Sequence, residues 1–295
     1  MSDANFSNNS STNGWFTEEI QKIMYGFGDS KHALKETAES IETVLKEQLI
    51  QLLNALFEVA AKRNSKTIGM KDFLFLLRHR PVKLKRFYEY LVVSGRGFKK
   101  LAKEVDVTKD TESEFCDTSI EAGNKEMNSA LAYLQHIDPS GNLLCAVTTT
   151  KFADDTNKER KERMDRMTTA MNLLEYKEYH KIKSTSFQKI QHAGKFKDWL
   201  LKDSPNPEVT LSAKTWSTLC FFAHETIAEI VDLAFIVRRD NTVGHEQITW
   251  SRSMKPLQTA EVMEAIRRFN NTNNSFSTLF GRKAVSPTSY RLLAL

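Results

Sequence analysis

The sequence predicts an all-α protein built from two copies of one helical plan, joined by a long middle segment. Three observations carry this. Apolar residues recur at spacings of three and four over two long stretches, about 37–63 and 211–239. A shorter amphipathic stretch precedes each of them, and another follows. The two closing stretches also align residue by residue, which is the mark of an internal repeat.

The first copy starts at "WFTEEIQKIMYGFGD". Phe16, Ile20, Ile23 and Met24 form an apolar stripe over 16–25, and Glu18 and Glu19 favour the positive end of the helix dipole. Thr17 is the expected cap. Gly26 and Gly28 end the helix because glycine tolerates irregular backbone angles. In the long helix, Ile41, Val44, Leu45, Leu49, Leu52, Leu53, Leu56 and Ala60 continue one stripe for about seven turns. Lys62 and Arg63 suit its negative end. A short segment around Ile68 leads to a third helix through Phe73, Leu74, Leu76 and Leu77, ending near Pro81. A basic-apolar helix over 83–93 is expected to stop at Ser94-Gly95.

The second copy repeats the order. "FQKIQHAGKFKDWL" (187–200) reads as a short helix, closed by Asp203-Ser204-Pro205-Asn206-Pro207. The long helix carries Trp216, Leu219, Cys220, Ala223, Ile227, Ile230, Val231, Ala234 and Val237 on one stripe. Phe222, Leu233 and Ile236 widen it. An irregular loop over 240–255 precedes a closing helix at 259–269 with Val262, Met263, Ala265, Ile266 and Phe269. When "KTIGMKDFLFLLR" is set beside "KPLQTAEVMEAIRR", Lys66 meets Lys255, Ile68 meets Leu257, Asp72 meets Glu261, Phe73 meets Val262 and Arg78 meets Arg267.

Short helix, loop, long helix, short loop, short helix is the plan of a histone fold. Such a unit cannot enclose the stripe of its own long helix and needs a partner packed head to tail. Two copies in one chain predict a tandem pair that forms within the molecule. Its core is expected at Leu45, Leu49, Leu52 and Leu56 on one long helix and at Leu219, Ala223, Ile227, Ile230 and Ala234 on the other. The alternative is two unrelated helical hairpins in one all-α domain.

Composition narrows the functional classes. The chain has 295 residues, 40% apolar and 27% charged, which is globular, and a net charge of +5 that permits nucleic acid or an acidic partner without requiring either. Cys116, Cys145 and Cys220 are three and widely spaced, so neither a disulfide framework nor a metal knuckle is expected, and a reducing compartment fits. The start "MSDANFSNNSSTNG" lacks the regions of a signal peptide, and no stretch is apolar enough to span a membrane. Gly26-Phe27-Gly28 has no strand before it and no Lys-Ser/Thr after it, so it is not a phosphate loop. The seven histidines are scattered without metal-ligand spacing, and no Ser/His/Asp set assembles. No catalytic residue, metal ligand or cofactor site is predicted.

The first copy resembles the small TFIID histone-fold family through "FTEEIQKIMYGFGD", "ETAESIETVLKEQLIQLL" and "DFLFLLR". The second, through "KFKDWL", "AHETIAEIVDLAFIVRRD" and "EAIRRF", resembles the C-terminal half of the Suppressor-of-Ty-three family of the SAGA coactivator. The two resemblances cover about 16–95 and 185–270. They imply two histone folds, nuclear localisation, and a non-catalytic role as a coactivator subunit that contacts other SAGA subunits and the TATA-box-binding protein and helps bring the latter to promoters. A chromatin or DNA-binding scaffold and a TFIID-type subunit are the competing readings. One departure is visible: where the family has an acid close behind Arg78, this chain reads His79-Arg80-Pro81, so the family's ion pair is not expected there.

Two surfaces stand out for partners. Glu225, Glu229 and Asp232 fall along one side of the second long helix at spacings of four and three, and are expected to present carboxylates to a basic surface. The run Arg78, Arg80, Lys83, Lys85 and Arg86 offers weak, non-specific phosphate contacts, with a merely solvated helix face as the plain alternative. The resulting organisation is a disordered tail at 1–14, histone folds at 15–95 and 185–270, a linker with helical segments at 96–184, and a flexible tail at 271–295. Within the linker, 108–119 is acidic and polar, 128–137 is a short helix, and 158–182 is one charged helix with Met164, Met167, Met171 and Leu174 at useful spacing. That helix is expected to brace the pair or to dock on another subunit.

Overall fold

A computed structural model describes residues 14–105, 118–148, 153–185, 187, 190–202, 211–242, 255–271 and 292–293. Among these residues there are eleven α-helices and no strand. Outside them lie 1–13 of the tail expected at 1–14, 108–117 of the acidic stretch, 243–254 of the loop expected at 240–255 and most of the tail expected at 271–295. The chain divides into two compact units, Met1–Ile50 with Glu159–Glu208 and Leu219–Leu293, and Gln51–Lys158 with Val209–Thr218 and Ala294–Leu295. Neither unit coincides with 15–95 or 185–270. Each draws residues from both sequence copies, because the division falls inside the two long helices.

The first unit begins with α1 (Thr17–Gly26) and the N-terminal part of α2 (Lys35–Lys62). Thr17 does not cap α1. The cap position is Phe16, which makes no side-chain cap bond, and Glu42 of α2 instead holds the chain entering the helix: its carboxylate accepts from Trp15 N (2.8 Å), Phe16 N (3.2 Å) and Thr17 Oγ1 (3.1 Å). A carboxylate at a helix N-terminus also matches the helix dipole. Phe16 is fully buried in an aromatic cluster with Phe187 (5.3 Å), Phe196 (6.1 Å) and Trp199 (5.3 Å), the last two from α9 (Ile190–Leu201). Such edge-on contacts add to the area these rings bury. At the other end of α1, Gly28 adopts φ +106°, a conformation that L side chains rarely take.

The same unit holds most of α10 (Ala213–Asn241), with α11 (Thr259–Asn271) after it. The charged stretch expected as one helix is two: α7 (Asp155–Thr169) and α8 (Leu173–Lys183). The break has a local cause. Asn172 Oδ1 accepts from Glu175 N and Glu175 Oε2 accepts from Asn172 N, both at 2.9 Å, which is a capping box that starts a new helix. α8 packs against α1, where Tyr179 donates to the carbonyl of Gly26 (3.1 Å) and meets the ring of Tyr25 edge-on. Burial pushes the Tyr179 hydroxyl up to about 12, so it stays a donor. Leu292 and Leu293 are buried here, with Leu293 N donating to Gln48 Oε1 (2.9 Å), so this part of the C-terminal segment is anchored.

The second unit contains the end of α2, α3 (Met70–Leu77), α4 (Pro81–Val105), α5 (Thr118–Ile137), α6 (Asn142–Thr148) and the start of α10. α5 is longer than 128–137 and packs with α6 against α4, and α5 also packs on α3. This part of the expected linker is thus folded. α4 does not stop at Ser94-Gly95 but runs on to Val105. A glycine inside a helix costs only about 1 kcal/mol and ends one only when the chain has a better use for its freedom. Leu84, Phe87, Ala130, Leu134, Ala146 and Val147 are buried in this unit, beside Phe73 and Leu77 of α3.

Candidate functional site

The residues aligned in the two copies carry the same local machinery. In the second unit, Arg63 at the end of α2 grips Asp72 in the first turn of α3, with Nε to Oδ1 at 3.0 Å and Nη2 to Oδ2 at 2.8 Å. Asp72 Oδ2 also accepts from Gly69 N (2.7 Å), and Arg63 Nη2 donates to Thr67 O (3.2 Å). In the first unit, Arg238 near the end of α10 grips Glu261 in the first turn of α11, with Nε to Oε1 at 2.7 Å and Nη2 to Oε2 at 2.6 Å. Glu261 Oε2 accepts from Gln258 N (2.8 Å), and Arg238 donates to the carbonyls of Lys255 (2.7 Å) and Pro256 (2.8 Å). The planar guanidinium suits both tasks, because it presents two parallel donors to a carboxylate and has others left for backbone.

A second correspondence involves the loop residues Ile68 and Leu257, both buried. Thr37, near the start of α2, donates from Oγ1 to Leu257 O at 3.0 Å. Thr215, near the start of α10, donates from Oγ1 to Ile68 O at 3.2 Å. The first contact lies within the first unit and the second within the second. Asp29 adds to the first of them, with Oδ1 accepting from Leu257 N at 2.9 Å. Burial holds the Asp29 carboxyl above the usual range, opposed by the N–H groups of Leu257 and Ser30 and by the charge of Arg238. Its other oxygen, Oδ2, is buried without a hydrogen bond.

The expected acidic face of α10 is corrected at Asp232. That residue is 7% exposed and accepts from Arg160 of α7 at 2.9 and 2.7 Å, and from Arg163 Nη2. Arg160 Nη1 also lies 3.7 Å from Glu225 Oε1, while Glu229 is half-buried. A carboxylate enters a core only with compensation. The compensation comes from α7, whose only buried residues are these two arginines. Arg163 Nε further donates to Phe27 O (2.8 Å), and its stem passes Gly28 so closely that a Cβ there would stand 2.8 Å from Nε. The guanidinium groups of Arg160 and Arg163 lie over the rings of Phe27 (5.1 Å) and Phe235 (4.6 Å). His224, 4.8 Å from Phe27 ring to ring, is held below its usual pKa by burial.

The basic run is corrected at Arg86. It is buried, and its Nε and Nη2 reach the two oxygens of Asp154 at 2.5 Å, so it is a structural ion pair and not surface. Arg78 is half-buried, stacked 3.8 Å from the Phe75 ring centre and donating to Phe75 O (2.7 Å), which replaces the acidic partner missing behind it. Lys83 and Lys85 are half-buried, and Arg80 is exposed. The nine residues expected in the pairing core, Leu45, Leu49, Leu52, Leu56, Leu219, Ala223, Ile227, Ile230 and Ala234, are all buried.

Residues 14–107 match the family model described as transcription initiation factor IID, 18 kD subunit. The SAGA complex subunit Spt3 of Drosophila melanogaster is 25% identical over 85% of this chain and 66% of its own length. Its namesake in Schizosaccharomyces pombe is 26% identical over 85% of this chain and 88% of its own length. Transcription initiation factor TFIID subunit 13 of Arabidopsis thaliana is 34% identical over 31% of this chain and 71% of its own length. With the TFIID likeness confined to its N-terminal part and the Spt3 likeness running through both sequence copies, the chain belongs to the histone-fold family of Spt3 and TFIID subunit 13.

Proposed function

We propose that this protein is a non-catalytic subunit of a SAGA-type transcription coactivator, acting in the nucleus, and that its two histone folds pair head to tail within the chain. The reciprocal threonine contacts carry the pairing: each long helix places a threonine near its start on the loop that follows the other long helix. The matched arginine clamps support two copies of one fold, since the same loop is closed in the same way in both. As a scaffold, the pair offers helix faces and loops to neighbouring SAGA subunits and contacts the TATA-box-binding protein. We place that contact on the acidic side of α10 at Glu225 and Glu229, with Asp232 serving inside the fold.

Titration of the purified chain against the TATA-box-binding protein and against duplex DNA, each over a range of salt, tests this reading. Saturable binding to the protein, slowed by Glu229→Lys with the fold intact, supports it. Tight, steeply salt-dependent binding to DNA alone supports a chromatin scaffold that uses Arg80 and its neighbours instead. For the pairing, fragments 15–95 and 185–270 made separately should self-associate or aggregate, whereas a stable, monomeric 15–95 sinks it.

A further inference from the structure

The first turns of α8 expose an apolar surface that the fold does not use. Leu173 is 68% exposed, Leu174 77% and Tyr176 47%, although the helix is held firmly at its start by the Asn172–Glu175 capping box and on its inner side by Tyr179. Isolated exposed leucines are ordinary, but two adjacent ones beside a tyrosine in an ordered helix form a patch. At about 100° per residue, Leu173, Leu174, Lys177 and Lys181 fall on the side away from Tyr179 while Tyr176 and His180 flank it, and each of the six is exposed.

The charge on that side has one sign. α8 has two carboxylates, and both are engaged: Glu175 in the capping box, and Glu178 with Lys31 at 2.8 Å. Lys177 and Lys181, one helical turn apart, have no carboxylate partner among the described residues. The apolar patch therefore leads along the helix into a basic one.

We propose that this outer face of α8 docks an acidic amphipathic segment of another protein, with Leu or Phe side chains covering Leu173, Leu174 and Tyr176 and carboxylates meeting Lys177 and Lys181. Duplex DNA would satisfy the lysines and leave the leucines wet. A purely apolar partner would bury the two ammonium groups unpaired. An acidic helix with apolar residues at every third or fourth position satisfies both halves at once. The inference stands apart from the contact placed on α10.

The test uses the full chain and a fluorescent peptide of Asp, Glu, Leu and Phe patterned in that way, followed by anisotropy. The wild-type chain should bind it saturably, and binding should weaken with salt. Leu173→Ser with Leu174→Ser, and separately Lys177→Glu with Lys181→Glu, should each weaken it by about tenfold or more, because both anchors and charges contribute. These positions are exposed, so thermal unfolding and helicity should match the wild type; Glu47→Gln, an exposed change on α2, should leave binding unaltered. Equal binding by both variants overturns the proposal. So does the absence of binding by the wild type, or a preference for phosphatidylserine vesicles over the peptide. Self-association that disappears with Leu173→Ser and Leu174→Ser while the peptide fails to bind would assign the face to a second copy and also overturn it.

Discussion

Arg160 and Asp232 are 72 positions apart in sequence and 2.7 Å apart in the structure, both almost wholly buried. With Arg163 on the other carboxylate oxygen, Asp232 serves two guanidinium groups of α7. Removing the carboxylate takes away the acceptor that these two buried arginines share, while Glu225 stays 3.7 Å from Arg160. Asp232→Ala should therefore destabilise the protein by about 3–5 kcal/mol, read from urea unfolding. Replacing all three, as Asp232→Leu with Arg160→Met and Arg163→Leu, should recover most of that loss. Hydrogen exchange in 155–169 should accelerate in the single variant before exchange in α10 does, since α7 buries no apolar side chain.

The two arginine clamps yield a paired prediction. Arg63→Ala and Arg238→Ala should each cost about 1–3 kcal/mol in chemical denaturation, because each takes the guanidinium donors away from a carboxylate and from at least one loop carbonyl. Lysine at either position should rescue little, as one ammonium cannot span both carboxylate oxygens. If only one clamp matters, the two loops are not equivalent in energy despite their equivalent geometry.

Gly28 is set by backbone and neighbour together. Gly28→Ala forces an L side chain into φ +106° and drives its Cβ against Arg163, for an expected loss of about 1–3 kcal/mol. Pairing it with Arg163→Ala should remove the steric part and leave the conformational part, so the two changes should combine non-additively. Circular dichroism during thermal unfolding reads both.

Asp29 sets a pH dependence of unusual sign for a carboxylate. Its folded pKa is raised, so folding favours the protonated form. Its contribution to stability is present below the unfolded-state pKa and is lost as pH rises through the folded value. Asp29→Asn keeps an acceptor for Leu257 N and removes the buried charge at Oδ2. The variant should be more stable than the wild type at neutral pH, and the advantage should vanish in acid. Melting curves across that range check it; an advantage that grows toward acid would contradict the assignment.

Cys220 and Cys145 should differ in reactivity. Burial pushes the Cys220 thiol up to about 12, which leaves almost no thiolate near neutrality, whereas Cys145 is half-buried on α6. Iodoacetamide should label Cys145 in the native protein and reach Cys220 only on unfolding, as read by peptide mass spectrometry.

What could be read from the sequence was local and periodic. The stripes of α2 and α10 and the flanking short helices follow from apolar spacing, which a helix expresses without reference to distant residues. The match of Asp72 with Glu261 was legible because both follow a buried aliphatic residue, Ile68 or Leu257, at one fixed interval. The break at Asn172 had its signal too, an Asn followed three residues on by Glu, but the charged periodicity on either side masked it.

What only the tertiary structure decided is the fate of the charges. Arg86, Asp232 and Thr17 each carry a sequence context that reads as exposed or as a cap, yet their partners are Asp154, the arginines of α7 and Glu42. A carboxylate's cost of burial depends on what stands within hydrogen-bond reach, and those groups come from elements 25 to 72 positions away. Apolar pattern and chain order determined which helices form. The choice between a solvated charge and a buried ion pair depended on distances that exist only once those helices have packed.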